Sequence, residues 1–194
     1  MRISVEGNSD GLRVRMRFEQ YRRLLLTRIV LAVLAVQGAI VGLWATLAPH
    51  SWYTSFPGFG ARWVASDGPY NHHLAADVGA FFLALTAVTI AALVVNRTTA
   101  ARIAGVGWLT FGVPHFLYHV LHQPAELGAA SFTASLIAAL LLVVGGAVCL
   151  FLPPRGELPL SEPRPVTLRF PRRRPPSGKP GSRVRDARGR SPRA

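Results

Sequence analysis

The sequence predicts an all-α integral membrane protein, a four-helix up-and-down bundle with a disordered C-terminal tail. Half of the 194 residues are hydrophobic and only 16% are charged, a balance that soluble domains seldom combine with so uneven a distribution along the chain. The apolar residues gather in long central blocks, while most of the 22 Lys and Arg residues lie in the two ends. Short polar connectors separate successive blocks, so neighbouring helices must run antiparallel.

A span needs about 20 predominantly apolar residues to cross about 30 Å of hydrocarbon. Residues 24–48, 74–95, 103–121 and 127–152 reach that length and make up a transmembrane domain over 24–152, preceded by a basic segment, 1–23, and followed by the tail, 153–194. The third block is the least apolar, since it holds Pro114, His115 and His119. An odd number of spans would nevertheless put the two basic ends on opposite sides.

Short loops rich in Arg and Lys stay cytoplasmic. Arg2, Arg13, Arg15, Arg17, Arg22 and Arg23 precede the first span, Arg97 and Arg102 flank the turn between the second and third, and Arg155 opens the basic tail. Residues 49–73 hold only Arg62. Both termini are therefore expected in the cytoplasm of a multi-pass cell-membrane protein. The first apolar run exceeds the core of a signal peptide, and the small-residue site ending at Ala48 is followed by Pro49, so it reads as an uncleaved anchor. Lys179 is the sole lysine in an Arg-, Ala-, Gly- and Pro-rich chain, a composition that fits a GC-rich bacterial genome. Cys149 is the sole cysteine and excludes an internal disulfide and a thiolate-rich metal site.

The first outer loop, with Trp52, Tyr53, Phe56, Phe59, Trp63 and Tyr70, has the aromatic content of a headgroup-level anchor. Its Asp67-Gly68-Pro69-Tyr70 stretch predicts a turn, and Asn71 is placed to cap the second helix. The tail is rich in Pro, Arg, Gly and Ser without apolar periodicity, so disorder is expected. The net charge of +13 is better explained by topology than by nucleic acid. The expected partners are membrane lipid, with anionic lipid or an acidic protein for the tail, and further copies of the chain are open.

Ionisable residues at membrane depth cost several kcal/mol unless they are paired or face water. Asp77 is the sole acid within a span, one turn after His73, and His115, His119 and His122 form one stripe on the third helix. The predicted topology places all of them towards the outer side. His73 and Asp77 are expected to face His115 and His119 across the interface of the second and third helices, with His119 nearest Asp77. These four residues are the candidate metal ligands, for Zn, Cu, Fe or, through a His of each helix, haem. Pro114 should bend the third helix, and Gly105, Gly107 and Gly112 should admit a close neighbour.

The blocks Asp67-Gly68-Pro69-Tyr70-Asn71-His72-His73-Leu74, Asp77-Val78-Gly79-Ala80 and residues 113–122, with His115, His119 and His122, resemble a family of small four-span actinobacterial membrane proteins. Their layout is similar to that of the DoxX-like proteins. The resemblance covers residues 24–152 and implies the four-span fold, but no activity, substrate or cofactor. Three roles stay open: a structural or partner-binding membrane component held by the Asp/His cluster, a metal- or haem-binding redox protein, and a proton-coupled transporter. Phosphate-loop, G-x-S-x-G, H-E-x-x-H and C-x-x-C motifs are lacking, which weighs against an enzyme.

Overall fold

The computed structural model describes residues 2–8, 11–17, 20–161 and 166–171. Residues 20–161 are all-α, with α1 (Tyr21–Leu47), α2 (Pro49–Ser55), α3 (His72–Val95), α4 (Thr98–Leu121) and α5 (Ala129–Phe151). The end segments supply β1 (Arg2–Asn8), β2 (Gly11–Arg17) and β3 (Val166–Pro171).

Among the described residues, α1, α3 and α5 are long and apolar enough to cross a membrane. Each coincides, within a turn, with one of the expected blocks. The expected third span lies in α4, whose 24 residues match the others in length but include Arg102, Pro114, His115 and His119. Helix boundaries follow local chemistry. The Asn71 side chain accepts a hydrogen bond from the Leu74 N–H at 3.0 Å, as its place before α3 predicts. Asn96 ends α3 in the left-handed region at φ 57°, a conformation that Asn tolerates better than most residues. Pro49 opens α2, where its missing N–H costs nothing.

The helices pair chiefly as α1 with α3 and α4 with α5, and lighter contacts join α3 to α4 and α1 to α5. Two glycines set these distances. A Cβ at Gly79 would lie 2.6 Å from the Thr46 backbone nitrogen, and one at Gly105 would lie 2.7 Å from that of Leu150 and 2.8 Å from the Gly146 carbonyl oxygen. The backbones touch there, as small residues allow in helix pairs that have no hydrophobic drive to associate within lipid.

Between the pairs lies Trp108, fully buried. Its indole N–H donates to Thr89 Oγ1 at 2.8 Å, and the Thr89 hydroxyl donates to the Leu85 carbonyl at 2.7 Å. Thr86 likewise donates to the Phe82 carbonyl at 2.8 Å. Where no water reaches, each polar group needs a partner within the protein, and these threonines use the carbonyl one turn back.

The tail departs from expectation. Residues 153–161 turn back from α5 and cross the α3–α4 turn. The Thr98 N–H donates to the Leu158 carbonyl at 3.0 Å, and the Leu160 N–H to the Asn96 carbonyl at 3.1 Å. The Thr98 hydroxyl donates to the Gly156 carbonyl at 2.8 Å and accepts from the Leu158 N–H at 3.1 Å. Arg102 donates to the carbonyls of Pro153 and Pro154 at 3.0 and 2.7 Å. Leu160, only 2% exposed, joins the main apolar core. The expectation of disorder from residue 153 is therefore corrected for residues 153–161: one buried leucine and the unpaired backbone groups at the start of α4 fix this strap without any apolar periodicity. Residues 162–165 and 172–194 of the expected disordered tail lie outside the described residues.

β3 is also a part of the tail. β2 pairs antiparallel with β1 on one side and with β3 on the other. The register builds rows across the sheet: Ile3, Met16 and Val166; Val5, Val14 and Leu168; Ser4, Arg15 and Thr167; Glu6, Arg13 and Arg169.

Leu160→Ala should lower stability in detergent by about 2–5 kcal/mol, the usual cost of emptying a buried leucine site. A chain ending after Ser161 should keep the parent melting temperature, and a chain ending after Leu152 should melt lower. Equal melting of all three would show that the strap is not a structural element.

Candidate functional site

The C-terminal part of α4 carries a ladder of rings. Phe111 stacks on His115 at 4.9 Å between centroids, and His115 meets His119 edge-on at 4.7 Å. The spacing of four residues brings these rings onto one face. One residue away, Tyr118 stacks on His122 at 4.4 Å. At its inner end the ladder is anchored to α3, where Phe111 meets Phe81 at 5.3 Å and Phe82 at 5.0 Å.

On α3, His73 Nε2 lies 3.2 Å from Asp77 Oδ2, with the two side chains 89% and 60% exposed. The structure thus joins His73 to Asp77 and His115 to His119, each pair within its own helix. It forms no hydrogen bond or ion pair between the two pairs among the described residues, and no group of three or more His, Cys, Asp or Glu positioned to hold a metal ion. The expectation that His119 would be the nearest partner of Asp77 is corrected: that partner is His73.

The physical reason is the rotation of α3. Ala75, Gly79 and Phe82 are buried, and Gly79 sits directly against the α1 backbone, which fixes the face that α3 turns inward. Asp77 falls outside that face. Ring contacts between α3 and α4 run from Phe82 against Trp108, at 6.3 Å, to Phe81 against Phe111.

The acid that does reach α4 is Asp67, whose Oδ2 accepts a hydrogen bond from the Tyr118 hydroxyl at 3.1 Å. Asp67 belongs to the loop between α2 and α3, which turns at residues 63–67 rather than at the expected 67–70, and there Tyr53 donates to the Gly68 carbonyl at 2.6 Å. Sequence reasoning placed Asp67 in the turn and missed its partner, because 51 residues separate it from Tyr118. The same loop and α2 gather aromatic rings, with Phe56 between Trp52 and Trp63 at 5.9 Å from each, and Tyr70 beside His50 and Tyr53 at 5.1 Å from each. A separate cavity of about 260 Å³ lies between this loop and the α4–α5 connector, bordered by Arg62, Ser66, Glu126 and Ser131. Gln37, midway along α1, also escaped the sequence reading; its side-chain oxygen is buried and has no hydrogen-bond partner among the described residues.

Exposed ion pairs contribute little, about 0–1 kcal/mol. Asp77→Asn should therefore shift stability in detergent by less than about 1 kcal/mol. A loss several times larger, measured by thermal melting, would mean that Asp77 has a buried partner.

No family model, curated protein or solved structure matches the chain, so the functional reading rests on its sequence and geometry.

Proposed function

We propose that this chain is a bacterial cell-membrane protein whose four long helices all cross the bilayer as an up-and-down bundle. Both ends are cytoplasmic, and its role is that of a structural or partner-binding component. The observation that carries this reading is the outward face of α4. Ile103, Val106, Val113, Leu117, Val120 and Leu121 are all exposed and recur at the spacing of one helical stripe. Lipid would cover that stripe from end to end, while Trp108 and Gly105 face the other helices. The resemblance to the four-span actinobacterial family, with its DoxX-like layout, is part of the same proposal.

In this reading the His/Asp/aromatic outer end is the contact surface. The exposed His73–Asp77 pair, the Asp67–Tyr118 hydrogen bond and the ring ladder give it polar and aromatic groups close together. A second reading, a metal- or haem-bearing site, is favoured by the 4.7 Å approach of His115 to His119, since two imidazoles one turn apart can share one ion.

Reporter fusions at either terminus should read cytoplasmic, and an insertion after Asp67 should read external. A cytoplasmic N-terminus with an external C-terminus would leave α4 out of the membrane and sink the four-span reading. Protein purified in detergent should carry neither stoichiometric metal nor a haem absorbance band, and chelation should leave its melting unchanged. Stoichiometric metal lost in both His115→Ala and His119→Ala would instead establish the second reading.

A further inference from the structure

The cavity of about 260 Å³ between the α2–α3 loop and the α4–α5 connector draws on two stretches of chain that are poor in charge. Arg62 is the sole basic residue between Arg28 and Arg97, and Glu126 is the sole acid between Asp77 and Glu157. Folding nevertheless brings both to the border of one cavity, Arg62 from the loop and Glu126 from the connector. They do not neutralise each other there. The ion pair at this end of the bundle is His73–Asp77, and none joins Arg62 to Glu126 among the described residues. Each wall also supplies a hydroxyl. That of Ser66 donates to the Arg62 carbonyl at 2.7 Å, which leaves its oxygen able to accept a further bond. Ser131, in the first turn of α5, has a hydroxyl that can donate. The loop wall therefore offers Arg62 to an anion and Ser66 to a cation, and the opposite wall offers Ser131 to an anion and Glu126 to a cation.

These groups limit what the cavity can hold. A simple anion would bring its charge beside Glu126 and a simple cation beside Arg62, and like charges set together oppose binding. A molecule that carries both charges meets neither obstacle. Because Arg62 and Glu126 stand on different walls, its two ends must be separated by more than the single carbon of an α-amino acid. The cavity is smaller than the about 300–1,000 Å³ of pockets for drug-sized ligands, so its occupant is a small zwitterion or the headgroup of a larger molecule. No aromatic ring borders it. Quaternary ammonium groups are recognised through aromatic cages, so the cationic end is an ammonium with N–H donors. We propose that this cavity binds a phosphoethanolamine group, with the phosphate on Arg62 and Ser131 and the ammonium on Glu126 and Ser66. The group can come from a membrane lipid or from a free glycerophosphoethanolamine. The lipid source requires that α5 spans the membrane, the free one does not, and either holds whether three helices cross or four.

The test titrates the full chain, in a nonionic detergent, with short-chain phosphatidylethanolamine, phosphatidylcholine and phosphatidylglycerol, and with glycerophosphoethanolamine. Binding is read by thermal melting, since a ligand of the native state raises the melting temperature as its concentration passes Kd, and by native mass spectrometry. Phosphatidylethanolamine should bind saturably, and the choline and glycerol lipids about tenfold or more weaker, the equivalent of one lost charge-assisted hydrogen bond. Binding of glycerophosphoethanolamine as tight as that of the lipid would identify the free molecule as the source, and binding of the lipid alone would identify the membrane. Arg62 and Glu126 are both exposed, so Arg62→Gln and Glu126→Gln should leave the melting of the unliganded protein unchanged while each weakens phosphatidylethanolamine by a similar factor. Equal binding of all three lipids, preference for phosphatidylglycerol, or binding unaltered in both variants would overturn the proposal. So would variants that each melt lower without ligand and whose combination melts no lower still, which would show the two charges bound to each other. The headgroup preference of the parent protein decides the matter even where a variant fails to fold.

Discussion

Direct contact between helix backbones is the constraint on which the rest of the molecule depends. At Gly79 the α3 backbone meets Thr46 of α1, and at Gly105 the α4 backbone meets Leu150 and Gly146 of α5. Lipid tails are as apolar as leucine, so a helix gains little by exchanging lipid for a neighbour's methyl groups. Dense packing supplies the association instead, and only small residues let two backbones approach so closely. A side chain at either glycine would have to displace the neighbouring main chain, which cannot rotate out of the way as a side chain can.

That contact also governs the end of the bundle that carries His73 and Asp77. With Gly79 held against α1, the rotation of α3 is no longer free, and its polar stripe is carried away from the α4 ladder. Trp108 is held in the same way: a fully buried indole whose donor is satisfied by Thr89, a residue of the neighbouring helix. The interior is thus specified by a few short-range matches, and the exposed His73–Asp77 pair is left outside it.

Much of this was legible in the sequence because its causes are local. The length of the apolar blocks, the Asn71 cap and the close neighbour of Gly105 each depend on a few adjacent residues, whereas α2 and the contact at Gly79 were not foreseen. The His115–His119 pairing was legible too, since helical spacing alone produces it. The relation of Asp77 to the α4 histidines was not, because spacing gives which residues share a face but not how far that face is turned from the next helix. Asp67 and Tyr118 meet through a fold of the α2–α3 loop that no period announces. The strap and the sheet escaped for a different reason. Leu158 and Leu160 are two leucines among prolines and polar residues, too few to make a period, and β3 is a six-residue strand whose partner lies at the other end of the chain.

The strap over the α3–α4 turn bears on the order of biogenesis. Asn96 and Thr98 reach the ribosome exit long before residues 156–161, yet their backbone and side-chain partners come from that later segment. The turn therefore leaves the ribosome incomplete and is finished only after α5 has been made. The sheet has the same property, since β2 can pair with β1 at once but must wait for β3 until every helix has been synthesised. Closure at both places comes last, so a chain stalled after α5 would hold its helices and still show an open turn and an unpaired strand edge to whatever quality control surveys the membrane.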